Sequence, residues 1–243
     1  MKALIFAAGI GSRLKPWTDS HPKALVEVGG KPMLAHVIER IVAAGIHDII
    51  INVHHFADQI RDYIAKANFD ADIFFSDETD MLLETGGGLR KVIDQIGNNP
   101  VLLYNADILT DFNLKNMISV HRKSKRDITL LTGRRSTQRY LVFNHAGNMR
   151  GWKNVSTGEV RPKDLTVKDD YMLLAFDGIH IVEPSVYDLL RNFRPENTPF
   201  SIMDFYIENC NFLKIKSYKL PEDVMWFDIG KPETLKKART YYK

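Results

Sequence analysis

Small residues fill the loop that follows the first apolar run of the sequence: Ala7, Ala8, Gly9, Gly11 and Ser12. Such residues allow backbone N–H groups to approach phosphate oxygens closely. Arg13 stands at the end of this loop and Lys23 follows ten residues later, and each can offset phosphate charge. The segment therefore predicts a binding site for a phosphorylated substrate.

Two other classes of glycine loop fit the sequence less well. A dinucleotide-binding loop needs a third small residue, where Leu14 stands, and a carboxylate ending the second strand, where Asn52 and Val53 stand. A P-loop needs lysine directly after its second glycine and then Ser or Thr, but Ser12 and Arg13 occupy those places. A different kind of phosphate-binding loop is therefore indicated.

A second glycine-rich segment, Glu84-Thr85-Gly86-Gly87-Gly88, opens a predicted helix after the third apolar run. Consecutive glycines permit a flat base or a sugar to approach backbone amides. A variant capping box or a flexible turn is the alternative interpretation. The presence of the phosphate-binding loop favours a ligand-binding role.

Asp107, in Asn105-Ala106-Asp107 at the end of the fourth apolar run, is the first candidate metal ligand. A carboxylate at this position lies over the crevice at the carboxyl edge of a parallel sheet. Mg²⁺ prefers oxygen ligands and often takes only one or two carboxylates together with substrate phosphates. For a lone aspartate, a helix cap or a turn is the alternative.

Apolar runs of strand length alternate with helical periodicity in the first half of the chain. The predicted strands are 3–7, 49–53, 73–75 and 101–104, and the predicted helices are 33–44, 57–67 and 88–96. This alternation predicts an α/β fold with a parallel sheet covered on both faces. After residue 127, strands are predicted at 128–132, 140–143, 149–152 and within 172–182, and helices at 184–192 and 202–209. The sheet is expected to become mixed there.

Composition narrows the class of protein. With 243 residues and 44% hydrophobic content, the chain can bury one substantial core, and we expect one domain, 1–243. The formal net charge of +3 is too small for a nucleic-acid groove, and the apolar N-terminus is too short to span a bilayer. A single cysteine, Cys210, fits a reducing cytoplasm. We therefore expect a cytoplasmic protein without a nucleic-acid or membrane partner.

The segment AAGIGSRLKPWTDSHPKALVEVGGKPML resembles the opening of the sugar-1-phosphate nucleotidyltransferases, also called nucleoside-diphosphate-sugar pyrophosphorylases. Ser12 and Trp17 replace the threonine and leucine that are commonest in this signature. The resemblance implies a Rossmann-like three-layer sandwich with a mostly parallel mixed sheet. It also implies a nucleotide-binding half, 1–126, and a sugar-binding half, 127–243.

The resemblance assigns catalytic roles to Arg13, Lys23, Asp107 and Asp228. The two cations neutralise the triphosphate and the attacking phosphate. Two unit charges ~4 Å apart repel by about 4 kcal/mol at an effective dielectric of ~20, so such cations are needed. Asp228, in WFDIGKP, matches the family's second metal aspartate, so Asp107 and Asp228 are the expected ligands of Mg²⁺.

The segment ETGGG resembles the form found in uridylyltransferases for N-acetylmuramate 1-phosphate and in related guanylyltransferases. The expected nucleotide contacts are Ala7, Ala8, Gly9, Gly11, Ser12, Arg13, Lys23, Glu84, Thr85, Gly86 and Gly87. The expected sugar contacts are Glu84, Asn105, Gly178 and His54.

The resemblance predicts an enzyme that joins a nucleoside triphosphate to a sugar 1-phosphate and releases pyrophosphate. It is strongest with short, single-domain members that use UTP and an amino-sugar 1-phosphate. We expect the sugar phosphate oxygen to attack the α-phosphorus in line, with Mg²⁺, Arg13 and Lys23 stabilising charge. The alternatives are a GTP-using mannose- or heptose-1-phosphate guanylyltransferase, a phosphocholine cytidylyltransferase, and a nucleotide-binding regulatory subunit without turnover.

Overall fold

Most of the strands of the chain join one ten-stranded sheet in the computed structural model, which describes residues 1–242. The strands are β1 (Lys2–Phe6), β2 (Glu27–Val28), β3 (Lys31–Pro32), β4 (Asp48–Val53), β5 (Asp72–Asp77), β6 (Val101–Asn105), β7 (Ile108–Thr110), β8 (Ile128–Gly133), β9 (Arg139–Phe143), β10 (Met149–Asn154), β11 (Val160–Arg161), β12 (Met172–Val182), β13 (Ile215–Lys219) and β14 (Trp226–Asp228). The helices are α1 (Met33–Ala43), α2 (Ala57–Lys66), α3 (Glu84–Ile96), α4 (Leu114–Lys123), α5 (Tyr187–Arg191), α6 (Ile202–Asn209) and α7 (Pro232–Tyr241).

The first half of the chain contributes four parallel strands in the order β5-β4-β1-β6. β1, β4 and β6 are almost continuously apolar because helices cover both of their faces. Phe6 at the end of β1 pairs with Asn52 of β4 on one side and with Asn105 of β6 on the other. The loops that follow these three strands therefore leave the sheet at the same edge.

The second half makes the sheet mixed. β12 runs antiparallel to β6 and also pairs with β8 and β9, whereas β13 is parallel to β8. β10 and β11 extend the sheet beyond β9 in antiparallel fashion. Strands from both predicted halves thus belong to one sheet, and the prediction of a mostly parallel mixed sheet is confirmed.

Helices cover the sheet on both faces, as the three-layer prediction requires. Apolar residues of α1, α2 and α4 pack with Ile5 and Ile51 on one face, and those of α3, α5 and α6 pack with Leu4 and Ile50 on the other. Adjacent strand residues point to opposite faces, which explains why both members of each pair are buried. Among the helices of residues 1–242, none combines the length and apolarity needed to cross a membrane.

The predicted strands and helices are confirmed, with ends that agree to within four residues. Several elements did not stand out from the sequence pattern: α4, β13, the two-residue strands β2, β3 and β11, and the short ribbon of β7 and β14. β7 and β14 contain only three residues each, which is too few to show a period. That ribbon nonetheless positions two of the predicted functional residues.

Candidate active site

The β7–β14 ribbon brings the two predicted metal ligands to the same edge of the sheet. Asp228 pairs with Ile108 across the ribbon, and the N–H of Ile229 donates to the carbonyl oxygen of Asp107 at 3.0 Å. On the other face of the ribbon, Leu109 and Phe227 pack into a separate small core. This core anchors the ribbon, so the register that places the aspartates is held by burial of apolar side chains.

Gly230 marks the point where the charged groups converge. A Cβ atom built at Gly230 lies 2.6 Å from Lys23 Nζ, 2.8 Å from Arg13 Nη2 and 2.8 Å from Asp228 Oδ1. Lys23 Nζ also donates to Asp107 Oδ2. The four predicted catalytic side chains therefore surround one small volume. Two cations and two carboxylates in such a volume can hold phosphate groups together with a divalent metal ion.

A crevice of about 380 Å³ opens beside these groups. Its lining includes most of the predicted phosphate and nucleotide contacts near the strand ends, and it comprises Phe6, Ala7, Ala8, Gly9, Lys23, Ala24, Asn52, Leu82, Glu84, Thr85, Asn105, Ala106, Asp107 and Ser201. A Cβ atom added at Gly9 has no atom within 4 Å, so the missing side chain leaves open space for a ligand. Glu84 adopts a left-handed backbone conformation with φ +59°, a strained state that is typical of functional sites.

Asn52 holds the start of the phosphate loop. Its buried Oδ1 accepts hydrogen bonds from the N–H groups of Ala7 at 2.7 Å and Ala8 at 3.2 Å, and its Nδ2 donates to Glu78 Oε1 at 2.9 Å. Glu78 Oε2 in turn accepts the N–H of Leu83 at 3.0 Å. The network joins the phosphate loop to the start of α3. The N–H groups of Ala7 and Ala8 are thus used inside the protein, and contacts of these two residues with a nucleotide stay predictions.

The glycines of the ETGGG segment serve packing rather than open approach to a ligand. The N–H groups of Gly86 and Gly87 donate to the carbonyl oxygen of Phe200 at 2.8 and 3.3 Å. A Cβ atom at Gly86 would lie 2.2 Å from the Phe200 ring, and one at Gly88 would lie 2.9 Å from Glu78 Oε1. The amides of Gly86 and Gly87 are therefore used inside the protein, and contacts of these residues with a nucleotide stay predictions. Glycine is needed at positions 86 and 88 because Phe200 and Glu78 lie so close to the backbone.

The predicted sugar contacts divide into two groups. Asn105 and Glu84 line the crevice. Gly178 has φ +80°, and a Cβ atom there would lie 2.6 Å from Ile108 Cγ1, so this glycine is explained by its backbone and its neighbour. His54 does not line the crevice, and its Nδ1 is 2.6 Å from the carbonyl oxygen of Glu78. That bond uses only Nδ1 of the ring, and the contact of His54 with a sugar stays a prediction.

The remaining predicted nucleotide contacts, Gly11 and Ser12, lie in the loop beyond the crevice lining. Gly11 has φ +70°, and a Cβ atom there would lie 3.0 Å from Lys23 Cβ, so glycine allows the loop to turn tightly against Lys23. Ser12 is exposed. Their contacts with a nucleotide stay predictions.

Sequence reasoning missed Leu82 and Ser201, which also line the crevice. Ser201 caps α6 by accepting the N–H of Met203 at 3.2 Å, and the N–H of Ile202 donates to Thr85 Oγ1 at 3.0 Å. A serine directly before the predicted helix 202–209 is a typical N-cap signal. The position of Ser201 in the crevice, with Glu84 and Thr85, could not be predicted from the sequence, because it depends on how α6 docks against α3.

Replacing Asn52 by leucine, which has a similar volume, tests the network that holds the phosphate loop. We expect the free energy of unfolding to fall by about 2–3 kcal/mol, because buried N–H groups lose their acceptor. The KM for the nucleoside triphosphate should rise, since the loop is no longer held. Denaturant unfolding and initial-rate kinetics measure the two effects. Asn209→Leu, which removes a single hydrogen bond within α6, is the matched control, and equal effects of both variants would contradict the assignment.

Asp177 lies next to Gly178 and is fully buried. Its Oδ1 accepts from Arg135 Nε at 3.0 Å, and its carbonyl oxygen accepts from Trp226 Nε1 at 3.0 Å. Burial raises the pKa of this carboxyl from 3.8 to about 6, although the ion pair with Arg135 acts in the opposite direction. The native protein therefore holds a proton on Asp177 over a pH range in which the unfolded chain has released it.

This raised pKa predicts an unusual pH dependence of stability. Between about pH 4 and 6 the native state binds more protons at Asp177 than the unfolded state does, so stability from this group is present below pH 4 and is lost as the pH rises to 6. The wild-type free energy of unfolding should fall relative to that of Asp177→Asn by about 2–3 kcal/mol across this range. Denaturant titrations at a series of pH values measure it, and a constant difference would refute the prediction.

The donor set at this edge fits Mg²⁺. The described part of the chain, residues 1–242, contains no group of three or more His, Cys, Asp and Glu side chains that could hold a metal by themselves. Asp107 and Asp228 supply carboxylate oxygens beside two cations, which is the sparse, hard-oxygen arrangement that magnesium accepts when substrate phosphates complete its coordination. Asp228 Oδ1 is oriented by the N–H of Gly230 at 2.9 Å.

Comparison with known proteins shows the family of this chain. A family model described as nucleotidyl transferase matches residues 2–243. The N-acetylmuramate alpha-1-phosphate uridylyltransferase of Caulobacter vibrioides is 31% identical over 191 residues, which cover 76% of each chain. The enzyme of the same name from Neisseria meningitidis is 32% identical over 77% of this chain and 78% of its own length.

More distant matches extend over the whole chain. The mannose-1-phosphate guanyltransferase of Yarrowia lipolytica is 28% identical over 96% of this chain, but the match covers only 61% of that longer protein. The crystal structure of HddC from Yersinia pseudotuberculosis complexed with GMP-PN covers 100% of this chain and 99% of its own, with a TM-score of 0.77 and 21% identity. A UDP-glucose pyrophosphorylase complexed with UDP-glucose has a TM-score of 0.78 at 19% identity, covering 99% and 97%. At these identities the two structures establish the fold.

The basic loop, the paired aspartates, the three-layer fold and a family match over almost every residue agree with one another, and the chain belongs to the nucleotidyl transferase family.

Proposed function

We propose that this enzyme transfers the uridylyl group of UTP to an amino-sugar 1-phosphate, with N-acetylmuramate α-1-phosphate as the leading acceptor, and releases pyrophosphate. The observation that carries the proposal is the convergence of Arg13, Lys23, Asp107 and Asp228 around Gly230. The uridylyltransferases from Caulobacter vibrioides and Neisseria meningitidis support the choice of substrates. A cytoplasmic location is part of the proposal and is supported by the free, buried thiol of Cys210.

The reaction requires the protein to position the substrates and to offset their charge, and it requires no protein nucleophile. The acceptor phosphate oxygen forms a bond to the α-phosphorus of UTP while the bond from that phosphorus to the pyrophosphate oxygen breaks. A phosphate monoester is already largely ionised near neutral pH, so no general base is needed. Arg13 and Lys23 offset the repulsion between the two polyanions and hold them in line.

Two aspartates complete this arrangement. Asp107 and Asp228 would hold Mg²⁺, which supplies Lewis-acid stabilisation of charge on the phosphate oxygens when it is bound. Asp107 also accepts a hydrogen bond from Lys23 Nζ, so it orients the cation that faces the phosphates. The Asn52 network holds the start of the loop, Ala7 and Ala8, in the wall of the same crevice.

A guanylyl transfer to mannose 1-phosphate is the second candidate. It is favoured by the match to the mannose-1-phosphate guanyltransferase of Yarrowia lipolytica, which extends over 96% of this chain. The same four charged groups would serve that reaction, because they contact phosphates and not the base or the sugar. The two reactions would therefore be distinguished by the crevice residues that contact the base and the sugar.

A matrix of substrates tests the proposal. Pyrophosphate release is measured with Mg²⁺ for UTP, GTP, CTP, ATP and dTTP, each against N-acetylmuramate 1-phosphate, N-acetylglucosamine 1-phosphate, mannose 1-phosphate, heptose 1-phosphate and phosphocholine. We expect the highest kcat/KM for UTP with an amino-sugar 1-phosphate. A preference for GTP and mannose 1-phosphate would replace the first candidate by the second. If the protein binds a nucleotide but turns over none of the pairs, a regulatory subunit would instead be indicated.

A further inference from the structure

A second cavity, of about 590 Å³, lies beside β14, the strand that ends in Asp228. Asp177, which precedes Gly178, and Trp226, which lies two residues before Asp228, both belong to its wall. The cavity is lined in part by Leu174, so one side of it is apolar. Neither the proposed phosphate chemistry nor the nucleotide crevice uses this space.

Three contacts hold Arg135 in the wall of this cavity. The Arg135 guanidinium lies 4.5 Å from the centroid of the Trp226 ring, close enough for a cation–π interaction. Arg135 Nε donates to the buried Asp177 Oδ1 at 3.0 Å, and Nη2 donates to the carbonyl oxygen of Phe176 at 2.7 Å. Nη1 takes part in neither bond, and the side chain is 38% exposed. The guanidinium is therefore held in one orientation while part of it remains open to a ligand.

The charges around the cavity favour an anion. Arg134, Arg135 and Lys219 line it together with two carboxylates, Asp177 and Glu222. Asp177 is buried and paired with Arg135, and the contact between Arg134 and Glu222 spans 3.8 Å between two exposed side chains. An exposed pair at that distance is weak and readily exchanged. A carboxylate entering the cavity would therefore meet partly uncompensated cations.

Strand β14 connects this cavity with the predicted catalytic groups. Trp226 and Asp228 occupy alternate positions of β14, so their side chains point to the same side, about 7 Å apart along the strand. Leu109 and Phe227 point to the other side and are covered by the small core. An acceptor whose 1-phosphate lies at Asp228 would thus place its ring substituents against Trp226 and Arg135.

We propose that this cavity binds the ring substituents of the acceptor and that Arg135, with Arg134 and Lys219, recognises a carboxylate there. The enzyme then prefers an acidic amino-sugar 1-phosphate to a neutral one. N-acetylmuramate carries such a group, a lactyl ether that N-acetylglucosamine lacks. The inference rests on the proposed function, since it assigns a specificity subsite to the acceptor of that reaction.

The test compares N-acetylmuramate 1-phosphate with N-acetylglucosamine 1-phosphate, using UTP, in wild type and variants. We expect Arg135→Met to lower kcat/KM for the acidic acceptor about 10- to 100-fold, because a hydrogen bond to a charged group is lost, and to change the neutral acceptor little. Arg134→Met and Lys219→Met should act in the same direction with smaller effects. These two side chains are exposed, so they keep the test valid if Arg135→Met unfolds. Arg122→Met, an exposed arginine on α4, is the matched control.

The outcomes separate this inference from the proposed function. Equal losses for both acceptors, or no loss for either in any of the three variants, would overturn the carboxylate subsite while uridylyl transfer stands. A wild-type preference for the neutral acceptor would do the same. Failure of the wild type to release pyrophosphate with UTP and any sugar 1-phosphate would overturn the proposed function itself, and the subsite with it.

Discussion

Asp107→Asn is expected to reduce kcat roughly 10³-fold while the protein stays folded. The asparagine keeps the size of the side chain, and its amide oxygen can still accept the hydrogen bond from Lys23 Nζ. The substitution removes the negative charge that would hold Mg²⁺ beside Asp228. Residue 107 directly precedes β7, and the register of β7 and β14 depends on backbone bonds, including the one from Ile229 N–H to the carbonyl oxygen of residue 107. Chemistry should therefore suffer far more than folding.

Single-turnover pyrophosphate release over a range of Mg²⁺ concentrations measures this effect. The variant should show a weakened dependence on Mg²⁺ as well as a lower maximal rate. Asp223→Asn, which changes an exposed aspartate in the loop before β14, should behave as wild type. Near-normal turnover of Asp107→Asn would remove this residue from the mechanism, whereas a melting temperature far below that of Asp223→Asn would show that the loss came from unfolding.

Gly230→Ala is expected to lower kcat/KM about 100-fold with little change in stability. Gly230 does not have a positive φ, so alanine fits its backbone. The added methyl group would lie 2.6 to 2.8 Å from Lys23 Nζ, Arg13 Nη2 and Asp228 Oδ1, and these groups must move away. Two of them are the ends of long, flexible side chains, so the movement costs the fold little but disrupts the arrangement that holds the phosphates.

A double-mutant cycle with Lys23→Ala gives the sharper form of this test. If the methyl group acts by displacing Lys23, the effect of Gly230→Ala on kcat/KM should shrink when Lys23 is already absent. Additive effects would mean that the methyl group acts elsewhere. Thermal unfolding of all four proteins checks that the comparison concerns catalysis, and a large loss of stability in Gly230→Ala alone would contradict the geometry described here.

Local patterns were enough to predict much of the fold. The apolar runs at β1, β4 and β6 are continuous because helices cover both faces of the sheet, and that continuity is visible in a single stretch of residues. The β7–β14 ribbon was not predictable in the same way. Its strands are three residues long, and they pair across more than a hundred intervening residues.

The ETGGG segment shows a contact that local reasoning could not predict. Consecutive glycines suggest open amides, but the N–H groups of Gly86 and Gly87 are bonded to Phe200, which arrives from more than a hundred residues away. Asn52 shows the converse case. In the sequence, Asn52 only occupies a position where a dinucleotide-binding protein would have a carboxylate. In the structure, it holds the phosphate-binding loop through Ala7 and Ala8.

By itself, the sequence determined the α/β class, the parallel strands and the basic glycine loop with Arg13 and Lys23, because each of these depends on neighbours along the chain. The tertiary structure alone decided how the β7–β14 ribbon brings Asp228 to Asp107, that Asn52 positions the loop, and that Arg135 and Trp226 line a second cavity. Those contacts are set by strand register and by the docking of distant segments. Their energies come from burial and hydrogen bonding that exist only after the chain has folded.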